Sequence, residues 1–260
     1  LPGFLILPLA ILCWASLLPY YTPPALSALP HLTAANYLSV IQNSVVLISI
    51  FNSVFIGFIS TSATIILTAT IAWIIIRTKV KGKWLLDHLA SMTLVFPGIV
   101  LGLALMVTYV KLPLPIYGTI WILVIGFMIQ YIPYGVRFCY PGLIQINREL
   151  EESAQMSGAS WGTVFVRIIV PLMMPSLIAG WIYIFLLSVR NLSLPVLLAR
   201  PGTEVVATMM FDFWEAGRIP EISAVGVTTS LVLLLIVTGL HKISSHFGIK
   251  REVFSGMTYK

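Results

Sequence analysis

Glu152-Ser153-Ala154-Gln155-Met156-Ser157-Gly158, separated by nine residues from Ile168-Ile169-Val170-Pro171, is a polar block between two strongly apolar stretches. Everything around it suits lipid. Hydrophobic residues make up 58% of the 260-residue chain and charged residues 9%, with a mean hydropathy of +0.99. One soluble core cannot hide that much apolar surface, so the chain reads as an all-α integral membrane protein. A helix needs about 20 residues to cross the roughly 30 Å hydrocarbon core at about 1.5 Å per residue. Six stretches qualify, at about 3–21, 51–76, 88–110, 117–139, 172–196 and 222–240, each bounded by charges, prolines or turn residues. No charge occurs from Leu1 to Ile76, yet Pro19, Pro23, Pro24 and Pro30 interrupt that run. Proline removes an amide donor, so the run must hold more than one element. Asn36 to Ile50 is left over, as an interfacial helix or as an early start of the second span.

The fifteen Lys and Arg residues orient these spans, because positive charge is retained on the cytoplasmic side. Arg77, Lys79, Lys81, Lys83, Arg137, Arg148, Arg167, Lys242, Lys250, Arg251 and Lys260 fall in one set of loops. Lys111, Arg200 and Arg218 fall in the other, with Arg190 near or within a span. That bias puts both termini and the Glu152 loop in the cytoplasm. It also accounts for the net charge of +6 without a nucleic-acid partner. Leu1 to Tyr21 lacks the basic start and cleavage site of a secretory signal and is expected to remain as a helix. The missing initiator Met leads us to expect a piece of a longer chain, such as one half of a fused protein of two similar halves.

Within 140–172, Arg148, Glu149, Glu151, Glu152 and Arg167 stand among Ala, Ser and Met. This pattern predicts a short helix with one polar face over about 147–157. It predicts a turn at Gly158, where unusual backbone angles cost least, and a second helix over about 160–170 leading back to the membrane. Glu152 suits an Arg or Lys on a partner, while Ala154 and Met156 offer small or deformable apolar contact.

This block resembles the cytoplasmic EAA loop of binding-protein-dependent ABC importer permeases, the MetI-like inner-membrane components. Glu152, Ala154, Gly158, Ile168 and Pro171 match that pattern at its separations, with Ser153 in place of the usual Ala and Val170 in place of the usual Leu. Phe96-Pro97-Gly98 in the third span and Pro201-Gly202-Thr203-Glu204-Val205 after the fifth look like the ferric-iron, thiamine, phosphonate and polyamine branches. Arg190-Asn191-Leu192-Ser193, taken with that Pro-Gly-Thr segment, is most similar to the ferric-iron type. The resemblance implies a MetI-like permease fold of about six transmembrane helices over 1–260, a single domain containing a coupling loop at 140–172. It implies docking of two ABC ATPase subunits on Glu152, Ser153, Ala154, Gly158, Ile168 and Pro171. It further implies a periplasmic or extracellular substrate-binding protein, a second permease subunit or half, ATP-Mg held by the ATPase rather than a cofactor on this chain, and a bacterial inner-membrane location. Ferric iron is the implied substrate, with thiamine, phosphonate and polyamine as alternatives.

Candidates for the substrate path come from the residues themselves. Arg190 closes a run otherwise uncharged from Ile168; it suits an anion or chelated metal facing a path, and equally suits snorkelling to the outer interface. Pro97-Gly98 predicts a bend, either a gating hinge or a static kink. Ser49, Ser53, Ser60, Thr61, Ser62, Thr64, Thr68 and Thr70 make the second span hydroxyl-rich. Such groups commonly bond their own backbone or admit close helix packing. Cys13 and Cys139, and His31, His88, His241 and His246, lack metal-ligand spacing. Gly82-Lys83 is followed by Trp84, so no phosphate-gripping G-x-x-x-x-G-K-[ST] loop exists, and no catalytic set has a local signature. An ion-coupled secondary transporter is the competing class. It would want a carboxylate within a span, and only Asp87, at a span edge, comes near.

Overall fold

The computed structural model describes residues 2–246, with side chains over 6–240 and at Lys242. Lys250, Arg251 and Lys260 of the charge pattern, and the side chains of His241 and His246, lie outside the described residues. The described residues form helices and no strand: α1 (Pro2–Ser16), α2 (Ala35–Gln42), α3 (Ser44–Arg77), α4 (Lys83–Met92), α5 (Gly98–Lys111), α6 (Ile120–Ile144), α7 (Arg148–Met156), α8 (Trp161–Val164), α9 (Val170–Val189), α10 (Pro195–Leu198), α11 (Val206–Glu215) and α12 (Ile219–His246). A 3-10 turn spans Leu26–His31 and a π-helical turn spans Phe165–Ile169.

Ser44–Arg77, Ile120–Ile144, Trp161–Val189 and Ile219–Leu240 are long and apolar enough to cross a membrane, and Ile6–Ser16 and Gly98–Lys111 are shorter apolar helices. These six stretches carry the all-α membrane architecture, but several boundaries move from those expected. The second span begins at Ser44, absorbing most of the leftover segment; α2 holds the remainder. The break falls at Asn43, whose Oδ1 accepts the Val45 N–H at 3.0 Å and so starts α3 as an N-cap. At 34 residues α3 is roughly 50 Å long, well beyond the hydrocarbon core. The expected continuous third span at 88–110 is instead α4, a turn and α5. Pro97 lacks an amide hydrogen and forces Phe96 toward extended backbone, so the helix stops before it and restarts at Gly98. The fifth span starts at Trp161 rather than about 172, because α8, the π turn and α9 follow without a gap. Pro171 therefore sits inside helix, and the wider π turn just before it relieves the clash between its ring and the preceding turn.

The chain divides into two compact units. The first comprises Leu1–Gly57, Gly98–Gly126 and Ser188–Leu235. Its core gathers Val40, Val46, Val206, Met209, Ala224 and Val225 from α2, α3, α11 and α12. Asn36 Nδ2 donates to the Ser16 and Leu18 carbonyls at 2.9 and 2.7 Å, satisfying acceptors at the end of α1 that helix geometry leaves free.

The second unit comprises Phe58–Pro97, Phe127–Leu187 and Ile236–Lys260. Its core gathers Ala72 of α3, Cys139 and Leu143 of α6, Ile146, Val164 of α8, Ile169 of the π turn and Met173 of α9. Glycines let the helices close up: a Cβ on Gly135 would lie 2.5 Å from Thr68 Oγ1, and one on Gly142 2.7 Å from Ser176 Oγ. The hydroxyl row of α3 is used structurally. Thr64 and Thr68 donate to carbonyls one turn back at 2.7 and 2.8 Å, and Ser62 Oγ accepts from Trp181 Nε1 at 3.0 Å.

Candidate functional site

The polar loop forms a compact knob within the second unit. Glu149 and Glu151 occupy the first turn of α7, where carboxylates complement the positive end of the helix dipole. The helix ends as its glycine requires. Gly158 has φ +87°; its N–H donates to Gln155 O at 2.9 Å, and Ala159 N–H donates to Ala154 O at 3.1 Å. This pair of bonds is a Schellman termination, and a residue with a Cβ would adopt the required backbone only with strain. Ser160 then caps α8 by accepting the Thr163 N–H at 3.3 Å. The expected helix–glycine–helix arrangement is thus present, with the second helix running directly into the membrane span.

The two faces of α7 differ. Ala154 packs with Ile168 against the core of the unit. Glu152, Ser153, Gln155 and Met156 are exposed, Met156 at 89%. Ala154 lets α7 sit close to the helices beneath it, while Glu152 points a carboxylate away from them. Ile168 anchors the π turn; Pro171 is exposed on α9.

Three charged side chains and an aromatic cluster that the sequence did not single out hold this knob in place. Arg77, the last residue of α3, lies with its Nε 2.7 Å from Glu151 Oε1, the two side chains being 7% and 13% exposed. The N–H is not aimed along that line, so the contact is Coulombic rather than a directed hydrogen bond. The same guanidinium donates through Nη2 to the carbonyls of Leu143 and Ile146 at the end of α6. Arg148, the first residue of α7, donates back to the Ile76 carbonyl of α3 at 2.7 Å. Trp161 and Phe165 stack at 5.5 Å, and Trp73 of α3 packs against Trp161 at 4.6 Å. In the sequence Arg77 and Arg148 are simply members of the cytoplasmic charge excess, and Glu151 is one acid among three. Their pairing joins positions more than seventy residues apart, which no local spacing signals.

The other expected residues fall elsewhere. Pro97 closes the turn after α4 and Gly98 opens α5. Arg190 is exposed in the turn after α9. In the first unit, Pro201-Gly202-Thr203-Glu204-Val205 forms a tight turn with Gly202 at φ +89°. It is tied to α3 by Asn52 Nδ2, which donates to the Gly202 and Glu204 carbonyls at 3.2 and 3.0 Å, and by Ser53 Oγ, which accepts the Val206 N–H at 2.8 Å. Arg200 bonds the Tyr117 hydroxyl and covers its ring. No cluster of three or more His, Cys, Asp or Glu side chains that could hold a metal ion occurs among the described residues.

The chain belongs to the family of binding-protein-dependent transport system inner membrane components, whose model matches residues 64–246. It is 27% identical over 190 residues to the ferric transport system permease protein FbpB of Actinobacillus pleuropneumoniae, covering 73% of this chain and 28% of that one. It is 28% identical over 180 residues to the spermidine/putrescine transport system permease protein PotC of Escherichia coli (strain K12), covering 69% and 67%. It is 25% identical over 264 residues to the sulfate transport system permease protein CysT of the same strain, covering 95% of each. The chain spans about a quarter of the length of the ferric relatives it matches. The fold is shared with a chain of the bacterial alginate ABC transporter solved in complex with alginate pentasaccharide-bound periplasmic protein, at TM-score 0.70, 17% identity and coverage of 95% of this chain and 90% of that one.

Proposed function

We propose that this chain is a permease subunit of an ATP-driven ABC importer, forming part of a substrate path and receiving force from separate ATPase subunits through the knob at 148–171. The observation that carries this reading is the two-sided α7, with Ala154 packed on the core and Glu152 exposed beside the Schellman turn at Gly158. Glu152 docks by charge, and Ser153 and Met156 add close and deformable contact. Gly158 sets the turn, and Ile168 with Pro171 leads the knob into α9. Two ATPase subunits hold ATP-Mg, a binding protein delivers substrate from outside, and a second permease subunit or half completes the path. Both termini and the knob face the cytoplasm, as the Lys/Arg bias supports. ATP binding closes the ATPases, the knob carries that movement into the helices, the path opens outward to receive substrate, and hydrolysis resets it. These roles are mechanical, not catalytic.

Ferric iron is the substrate we assign first, supported by the Arg190-Asn191-Leu192-Ser193 and Pro201-Gly202-Thr203 segments and by the ferric relatives. The polyamine and sulfate relatives keep those solutes as the competing assignments. Arg190 and the Pro97-Gly98 break remain our candidates for the path and its movement.

Co-purification with candidate ATPase subunits in nanodiscs tests the reading, comparing the native chain with Glu152→Lys and Gly158→Pro variants checked for membrane insertion. Capture by the native chain, lost in both variants, is the expected result. No capture, with uptake driven by a proton or sodium gradient, would replace the importer with an ion-coupled transporter. Uptake of ferric iron, spermidine and sulfate by the assembled complex then separates the substrates.

A further inference from the structure

The knob is fastened to its membrane helices by a ring of charged contacts. Arg77 ends α3, pairs with Glu151 of α7 and donates to the carbonyls of Leu143, in the last turn of α6, and of Ile146, two residues past it. Arg148 of α7 closes the ring by donating to Ile76 O, and Lys83 Nζ donates to Ile75 and Thr78 carbonyls at 2.6 and 3.0 Å, covering the same end of α3. A helix end leaves its last carbonyls without intrahelical partners. Here cations from neighbouring segments occupy carbonyls of α3 and α6, so each helix end is held by another segment. Glu149 and Glu152, the other acids of α7, are exposed. Glu151 is the acid turned inward.

We infer that Arg77 and Glu151 are positioning residues that lock α7 to the ends of α3 and α6, so that a push on the knob moves those helices with it rather than swinging α7 alone. The inference rests on the importer reading above. A docking helix that merely touched the core through Ala154 would yield under load, because apolar contact is not directional. Drawing Glu151 away from Arg77 would leave a largely buried charge without its partner, and that cost resists the slip. Chains of packed side chains, ion pairs and rigid helices carry coupling between distant sites. Two adjacent acids thus divide the work: Glu152 meets the motor and Glu151 transmits to the membrane.

Pulsed electron–electron resonance between spin labels at Gln155→Cys on α7 and Ile66→Cys on α3 tests this, in a Cys13→Ser background with Cys139 buried. Both label sites are exposed. The native chain is expected to give one narrow distance, the same alone, with ATPase bound, and trapped with ADP–vanadate. Glu151→Gln keeps the Arg77 bonds to Leu143 and Ile146 and so preserves the fold. It is expected to broaden the distribution while ATPase capture through Glu152 persists, and to raise ATP hydrolysed per ferric iron, spermidine or sulfate imported by about tenfold. Arg77→Gln is expected to broaden it further. A distribution in Glu151→Gln as narrow as the native one, with unchanged coupling, or a native distance that shifts on trapping, overturns the inference while leaving the importer reading intact. Failure of the native chain to capture any ATPase overturns the importer reading and the transmission role with it.

Discussion

Two irregular segments are fastened to the same long helix by opposite means. The knob after α6 is held to α3 by charge, through Arg77, Glu151 and Arg148. The turn at 201–205 is held to α3 by neutral groups, the amide of Asn52 and the hydroxyl of Ser53. Both turns pivot on a glycine with positive φ, Gly158 in one and Gly202 in the other. The backbone problem is therefore the same, and only the fastening differs. Neutral hydrogen bonds suffice where a turn has only to keep its shape. Separating a buried ion pair strands a charge away from water, which suits the force-bearing role proposed for the knob.

The largest expected effect is on the charged side. Arg77→Ala strands the Glu151 carboxylate and frees the Leu143 and Ile146 carbonyls, and should cost about 3–5 kcal/mol, read as a lower melting temperature of the chain in nanodiscs. On the neutral side, Asn52→Leu removes two donors and leaves two carbonyls unsatisfied, at about 1–3 kcal/mol. Its effect should be local, seen as faster hydrogen exchange over 200–206 with exchange over 148–158 unchanged. Equal losses from these two substitutions would erase the distinction.

Smaller effects sharpen it. An added Cβ at Gly158 or Gly202 meets no atom within 4 Å, so Gly158→Ala and Gly202→Ala should each cost only the backbone penalty, about 1–2 kcal/mol, and lower the melting temperature equally. The smallest effect belongs to Glu152→Lys. That side chain is exposed, so the melting temperature should stay at the native value while ATPase capture is lost. A drop in melting temperature would move Glu152 from docking to structure.

The knob was legible in sequence because its determinants are local. A short polar-faced run and a glycine where a Cβ is strained act within a few residues, so α7 and its glycine turn fall where the pattern puts them. Pro97 shows the limit. The dipeptide Pro97-Gly98 announces a disturbance, but whether it kinks one span or separates two helices depends on whether α4, with Lys83 and Asp87, can lie within lipid. Asp87 accepts a hydrogen bond from the Tyr140 hydroxyl at 2.9 Å, a contact across fifty residues that periodicity cannot foresee. The hydroxyl row of α3 was legible only in part, since Thr64 and Thr68 donate to carbonyls one turn back but Ser53 and Ser62 accept from donors on distant segments, Val206 N–H and Trp181 Nε1.

By itself the sequence determined that the chain lives in lipid, that it is helical, and that one polar block is shaped as a short helix, a glycine turn and a second helix. Hydrophobicity, proline placement and glycine backbone freedom are properties of single residues and near neighbours, and they need no folded context. Only the tertiary structure decided which of two adjacent acids turns inward and which faces out. That choice depends on Arg77 arriving from α3, because a buried carboxylate is tolerated only where a cation comes to meet it.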